Sequence, residues 1–195
     1  MKWNFFREIG RKTIHLMILL VLMGYLMIFR IYGKTYALMS VILLLLIFLI
    51  LEYIRLELEI RIPFFDFFIR PKEIGRPYGA IYFLSATIIC LAVFDFKIAL
   101  TALLMTTFGD MAAAVIGQKY GHVAIFKKKT LTGTIAELCV NLVIGFVVLM
   151  SYTNIYTIII MAFTATIVET LVETLDDNLM VPLFTGFVGQ LLLMS

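Results

Sequence analysis

Residues 138–168 carry no charged side chain. A helix needs about 20 mostly apolar residues to cross the hydrocarbon core of a bilayer. This run is too long for one such span and too apolar for an exposed loop. Ser151, Tyr152, Thr153 and Asn154 supply a polar turn near its middle. The run therefore reads as two hydrophobic helices joined tightly. The rest of the chain leaves no soluble core to hide them. Of 195 residues, 63% are hydrophobic and 15% charged, and mean hydropathy is +1.05. Soluble domains are about 45–50% apolar and about 25% charged, and a core of this size cannot bury the excess. The composition predicts an integral membrane protein. It excludes a disordered chain, a collagen-like chain, a disulfide scaffold and a nucleic-acid-binding module.

The same reading along the chain gives candidate spans at 13–29, 35–54, 78–94, 98–118, 134–150, 155–173 and 179–194. A β-barrel is excluded, because its strands alternate in polarity, whereas a stretch such as 41–51 is apolar on every face. The expected fold is all-α: one membrane-embedded helix bundle over 1–195, of about seven transmembrane helices. No signal peptide is evident, since the first apolar segment is long and lacks a small-residue cleavage site. Cys90 and Cys139 lie inside apolar segments and read as small packing residues. Any chemistry must come from helix ends and short loops.

The connecting segments sort by charge. All of the 16 Lys and Arg residues except Arg30, Lys34 and Lys97 fall on one side of the predicted topology. Positive loops stay inside, so the N-terminus, the 55–77 loop, the 119–133 loop and the acidic 174–178 turn are expected to be cytoplasmic. The 55–77 loop mixes Arg55, Glu57, Glu59 and Arg61 with Pro63 and the Phe64, Phe65, Phe67 and Phe68 cluster. It reads as an interfacial amphipathic connector or as a lid.

Ionisable residues inside spans are costly and mark candidate function. Glu52, Asp110, Glu137 and Glu169 all fall toward the cytoplasmic ends of their helices, and the unusual basic groups do too. Glu8, Arg11, Lys12 and His15 share one helical face. Asp110 follows Gly109 two turns inside a span and needs a cation or a metal beside it. Ala113, Gly117 and Gly121 continue a small-residue stripe that permits close helix packing, within the chain or in a homodimer. Lys127, Lys128 and Lys129 meet Thr130, Gly133 and Thr134 at a helix start, where Thr134 with Glu137 fits a capping box. Exposed N–H groups, the helix dipole and a lysine there favour phosphate. Glu169, Glu173 and Asp176 or Asp177 recur on one acidic face, as hard oxygen donors suited to Mg²⁺. Together these groups suit a nucleoside triphosphate or pyrophosphate meeting a lipid head group.

The same residues resemble the CTP-dependent lipid kinases, the family of dolichol kinase, phytol kinase and the yeast-type diacylglycerol kinase, related to the phosphatidate cytidylyltransferases. The stretch from Glu8 through Arg11 and Lys12 to His15 is similar to the family's Glu-x-x-Arg-Lys-x-x-His. Gly109, Asp110, Ala113, Gly117 and Gly121 follow its Gly-Asp-x-x-Ala-x-x-x-Gly-x-x-x-Gly pattern. Lys129, Thr130, Gly133 and Thr134 resemble its Lys-Thr-x-Glu-Gly-Ser segment, with Thr132 where the family usually has glutamate. Glu169, Asp177, Asn178 and Pro182 resemble the closing motif. The four motifs run in order along nearly the whole chain.

The resemblance implies phosphoryl transfer from CTP to a membrane lipid alcohol at the cytoplasmic face, giving a lipid monophosphate and CDP. The acceptor would be of polyprenol or dolichol type, a shorter prenol or diacylglycerol. Asp110, Asp177 and Glu173 would hold Mg²⁺. Arg11, Lys12, Arg76, Lys128, Lys129, Thr130, Gly133 and Thr134 would bind the nucleotide phosphates. His15 or Asp110 would orient or deprotonate the alcohol, beside the catalytic Lys129. A cytidylyltransferase would use the same CTP and Mg²⁺ but release pyrophosphate. A small lipid or ion transporter would use the carboxylates as a relay, although a translocation path should reach both faces.

Overall fold

In the helix Leu131–Leu149 the buried residues are Gly133, Glu137, Asn141, Gly145 and Leu149. The exposed large ones include Leu131, Ile135, Val143 and Val147. A spacing of four keeps each set on one face. The polarity is largely the reverse of a soluble helix, with glycines, a carboxylate and an amide facing inward and branched apolar side chains facing outward. The helix that follows repeats it. Ile160, Phe163 and Ile167 are exposed while Thr157, Thr166 and Glu169 are buried on the next helix. An outward surface of this kind is stable only against lipid or another apolar phase.

The computed structural model describes residues 18–58, 75–126, 129–172 and 175–195. These form seven helices: α1 (Ile18–Tyr32), α2 (Lys34–Leu56), α3 (Gly79–Val93), α4 (Phe96–Tyr120), α5 (Leu131–Leu149), α6 (Ile155–Leu171) and α7 (Asp177–Met194). Of these, α2, α4, α5 and α7 are long and apolar enough to cross a membrane, and the other three are shorter apolar helices. The protein is therefore essentially all-helical, as expected. One short element was not foreseen: β1 (Ala124–Phe126) pairs antiparallel with β2 (Lys129–Thr130) inside the 119–133 connection. No alternating pattern longer than three residues announces it.

The chain divides into two units, Met1–Ile88 and Ile89–Ser195. In the first, Gly33 alone separates α1 from α2, with φ +87. That backbone region suits glycine, and it shrinks the expected 30–34 connection to one residue. At the other end of α2, Arg55 Nε donates to Glu52 Oε2 at 3.0 Å, and the same guanidinium donates to the Arg76 carbonyl at 2.8 Å. Glu52 Oε1 also accepts from the Tyr78 N–H at 2.9 Å. Glu52 is thus a clamp between α2 and the segment entering α3.

In the second unit α4, α5, α6 and α7 form a four-helix bundle. Each helix packs on its two neighbours, and α4 and α6 stand diagonally opposite. Asp95 caps α4 by accepting from the Lys97 N–H at 2.9 Å, and Asn154 caps α6 by accepting from the Thr157 N–H at 3.0 Å. The predicted polar turn at 151–154 is therefore the real boundary between α5 and α6. Close approach of α4 and α5 depends on glycine. A Cβ on Gly133 would lie 2.8 Å from the Ala113 carbonyl, and one on Gly117 would lie 2.8 Å from Thr130 Oγ1. The small-residue stripe of α4 packs against Thr130 and Gly133 at the start of α5 of the same chain.

Candidate active site

The bundle brings four elements together at the end that carries the hairpin. Strand β2 supplies Lys129, whose Nζ lies 3.0 Å from Glu169 Oε1 on α6. The Glu169 side chain is 6% exposed and that of Lys129 33% exposed. Asp110 on α4 and Asp177, the first residue of α7, both lie within electrostatic reach of the Glu169 carboxylate. Glu169 is buried, and Asp110, Asp177 and Lys129 stand half-buried around it. Carboxylate oxygens gathered this way suit a cation as partner. Among the described residues, no three Asp, Glu, His or Cys side chains converge tightly enough to enclose a metal ion unaided.

The local structure differs from expectation in three places. First, Thr130 rather than Thr134 caps α5, accepting from the Gly133 N–H at 3.3 Å. The helix begins one turn earlier because β2 leads straight into it and the Leu131 N–H bonds the Val123 carbonyl at 2.9 Å. There is accordingly no Thr134–Glu137 capping box; Thr134 is half-buried within the helix and Glu137 is buried on the inner face. Second, two N–H groups expected to cradle phosphate, those of Leu131 and Gly133, are already engaged. Thr130 and Gly133 act here in capping and packing. Third, Glu169 and Asp177 do not share one helical face. Helix α6 stops at Leu171 with Val172 extended, and α7 starts afresh at Asp177, with Asp176 as its cap. Packing of α6 on α7, rather than helical periodicity, brings the two acids together.

Of the residues singled out from the sequence, Asp110, Lys129 and Asp177 meet around Glu169. Glu169, read from the sequence as an intramembrane carboxylate on an acidic face, is outside the set that the resemblance assigns to phosphate or metal. Arg76 belongs to the first unit, where its side chain is exposed and its carbonyl accepts from Arg55. Arg11, Lys12, His15, Lys128 and Glu173 lie outside the described residues, as does the Phe-rich part of the 55–77 loop.

Sequence reasoning passed over Asn141 and Thr166. Asn141 Nδ2 donates to Thr166 Oγ1 at 3.1 Å, across the buried face between α5 and α6. The available signal was spacing: Asn141 follows Glu137 by four residues on the stripe that Gly133 begins. A second polar group lies at the opposite end of the bundle. There the Asp95 N–H donates to Gln190 Oε1 at 2.7 Å, and Lys97 Nζ sits 4.5 Å from the Tyr152 ring centroid. A Tyr152–Asp95 hydrogen bond raises the Tyr152 phenol above its ordinary value. This cluster ties helix ends together.

No family model matches the chain and no solved structure matches it. Two curated proteins are similar. Over 107 residues the chain is 32% identical to a CTP-dependent diacylglycerol kinase of Saccharomyces cerevisiae, covering 50% of this chain and 36% of that protein. Over 76 residues it is 30% identical to the protein of the same name in Eremothecium gossypii, covering 38% of this chain and 24% of the other. The chain thus spans about a third or less of the relatives that it matches. Over as much as half of its length it is similar in sequence to CTP-dependent lipid kinases, the family that its four motifs resemble.

Proposed function

We propose that this protein transfers the γ-phosphoryl group of CTP to the hydroxyl of a membrane lipid alcohol. The observation that carries the reading is the meeting of Lys129, Glu169, Asp110 and Asp177 from four elements at one end of a lipid-facing bundle. The two similar proteins are named for CTP and diacylglycerol, which supports diacylglycerol as the acceptor; a polyprenol is the other acceptor that the motif resemblance implies. The charge distribution supports a cytoplasmic site, a cytoplasmic N-terminus and seven spans.

In the reaction the alcohol oxygen attacks the γ-phosphorus, the bond to the β-phosphate oxygen breaks, and CDP leaves. Such transfer depends on positioning and charge neutralisation. Lys129, partly open to water, is placed to neutralise phosphate oxygens. Asp110 and Asp177 fit Mg²⁺, which is commonly held by one or two carboxylates with phosphates and water completing its shell; when bound it neutralises charge on the phosphates. The alcohol proton passes to Asp110 or to His15. The acceptor's tail lies against the apolar outer faces of the helices.

The test is purified protein in lipid nanodiscs with CTP or ATP, Mg²⁺, and diacylglycerol or a polyprenol. The expected products are CDP and a lipid monophosphate, with Asp110→Asn and Lys129→Ala each losing at least about a hundredfold in rate. Near wild-type turnover in both variants overturns the assigned site. Pyrophosphate and a CDP-lipid as products overturn the reaction in favour of cytidylyl transfer.

A further inference from the structure

Asn141 is 0% exposed at the middle of α5. Burying an amide is unfavourable unless both of its ends are used. Here only one is. Nδ2 donates to Thr166 Oγ1, whereas Oδ1 is buried with no hydrogen-bond partner. That oxygen is aimed at the backbone of α4. A Cβ built on Gly109 would come 2.5 Å from it and 3.1 Å from Glu137 Cγ. Only glycine at 109 lets the amide approach so closely, through a Cα–H face that is a weak donor at best.

The two residues that Asn141 touches each adjoin a carboxylate of the site. Gly109 immediately precedes Asp110. Thr166 lies three residues before Glu169, one turn along the same helix. Helices α4 and α6 touch directly across the bundle, but each packs more extensively on α5. The separation of Asp110 from Glu169 is therefore set in part through α5, and Asn141 is a side chain of α5 that reaches both. A threonine would fill nearly the same volume and could bond a carbonyl of its own helix, as Thr106 and Thr107 do. An amide standing where such a residue would leave no orphaned acceptor points to a role other than stability.

We infer that Asn141 is a positioning residue, an amide strut from Gly109 to Thr166 that fixes the Asp110 helix against the Glu169 helix. The role rests on the proposed phosphoryl-transfer site, and the strut itself rests on geometry alone.

Two measurements decide it. The first is a melting cycle on Gly109→Ala, Asn141→Ala and the double variant in detergent. Gly109→Ala is expected to lower the melting temperature, and to lower it much less once Asn141 has been shortened. Equal effects in both backgrounds overturn the strut. The second is steady-state kinetics of Asn141→Thr with CTP and a lipid alcohol. Its melting temperature is expected to stay close to wild type while kcat falls on the order of tenfold to hundredfold, with KM for CTP within about twofold. An unchanged kcat, or a loss confined to KM, overturns the positioning role. Absence of transfer by the wild-type protein overturns the functional reading and the role with it, while the melting cycle still decides the Gly109–Asn141 contact.

Discussion

Removing either partner of the Lys129–Glu169 pair should have unequal consequences. Lys129→Met deletes the ammonium and keeps most of the stem. It leaves Glu169, whose side chain is 6% exposed, facing Asp110 and Asp177 with no cation from β2. Stranding a buried charge costs about 3–5 kcal/mol. The lysine end of this pair is one-third open to water, so screening lowers the expected cost to about 2–4 kcal/mol. Glu169→Gln does the opposite. It relieves the repulsion among the acids and leaves an ammonium that can turn toward water, for about 1 kcal/mol. For a chain of this length 1 kcal/mol moves the melting temperature by about 2–4 °C. The drop should thus be roughly 4–16 °C for Lys129→Met and roughly 2–4 °C for Glu169→Gln. The double variant should recover part of the loss. Thermal unfolding in one detergent, followed by near-ultraviolet circular dichroism, measures all three. Lys129→Met melting at or above Glu169→Gln would refute the reasoning.

Two further outcomes probe the opposite end and the outer surface. The Tyr152 phenol is raised above 10.0, first by its hydrogen bond to Asp95, then by partial burial and the Asp95 charge. A raised value contributes stability below the unfolded value and loses it as pH rises through the folded one. Tyr152→Phe should therefore lower the melting temperature at neutral pH, and the deficit should close above about pH 10; a deficit independent of pH contradicts the bond. Cys139 is exposed on the outward stripe of α5 and Cys90 is buried. In nanodiscs a lipid-soluble maleimide should modify Cys139 alone, and a charged maleimide neither thiol. Rapid labelling of Cys139 by the charged reagent would exclude a lipid-facing α5.

The helices were legible because their apolar runs are long and the breaks at 151–154 and 94–95 are strongly polar or capped. The inner faces were less so. In an ordinary soluble helix burial follows hydrophobicity, but on α5 it follows small size and amide character, and the apolar residues point outward. Glu137 was therefore noticed for its charge while Asn141, one turn on, was passed over within an uncharged run. Asp110, Lys129 and Asp177 were found because each is an ionisable group beside an apolar segment. Glu169 was marked by the same criterion, but its pairing with Lys129 came only through the fold, since that partner lies forty residues away on a strand with no recognisable pattern. The cap was misplaced for a related reason: Thr130 and Thr134 both precede plausible helix, and the β1–β2 pairing selects between them.

That pairing has a consequence for sequence change. Successive residues of a strand point to opposite sides. Lys129 reaches Glu169, and Thr130 turns to the glycines of α4. The ladder is already irregular, with Ala124 opposite Thr130 and Phe126 opposite Lys129. Shifting a strand by one residue exchanges its two faces. Lys129 and the Thr130 cap are adjacent, so one residue inserted between them would turn the lysine off the side that faces Glu169 while Thr130 still caps α5. Surface connections generally drift in length at little cost; in this protein the step from Lys129 to Thr130 is a ruler, and related chains that keep the chemistry should keep it.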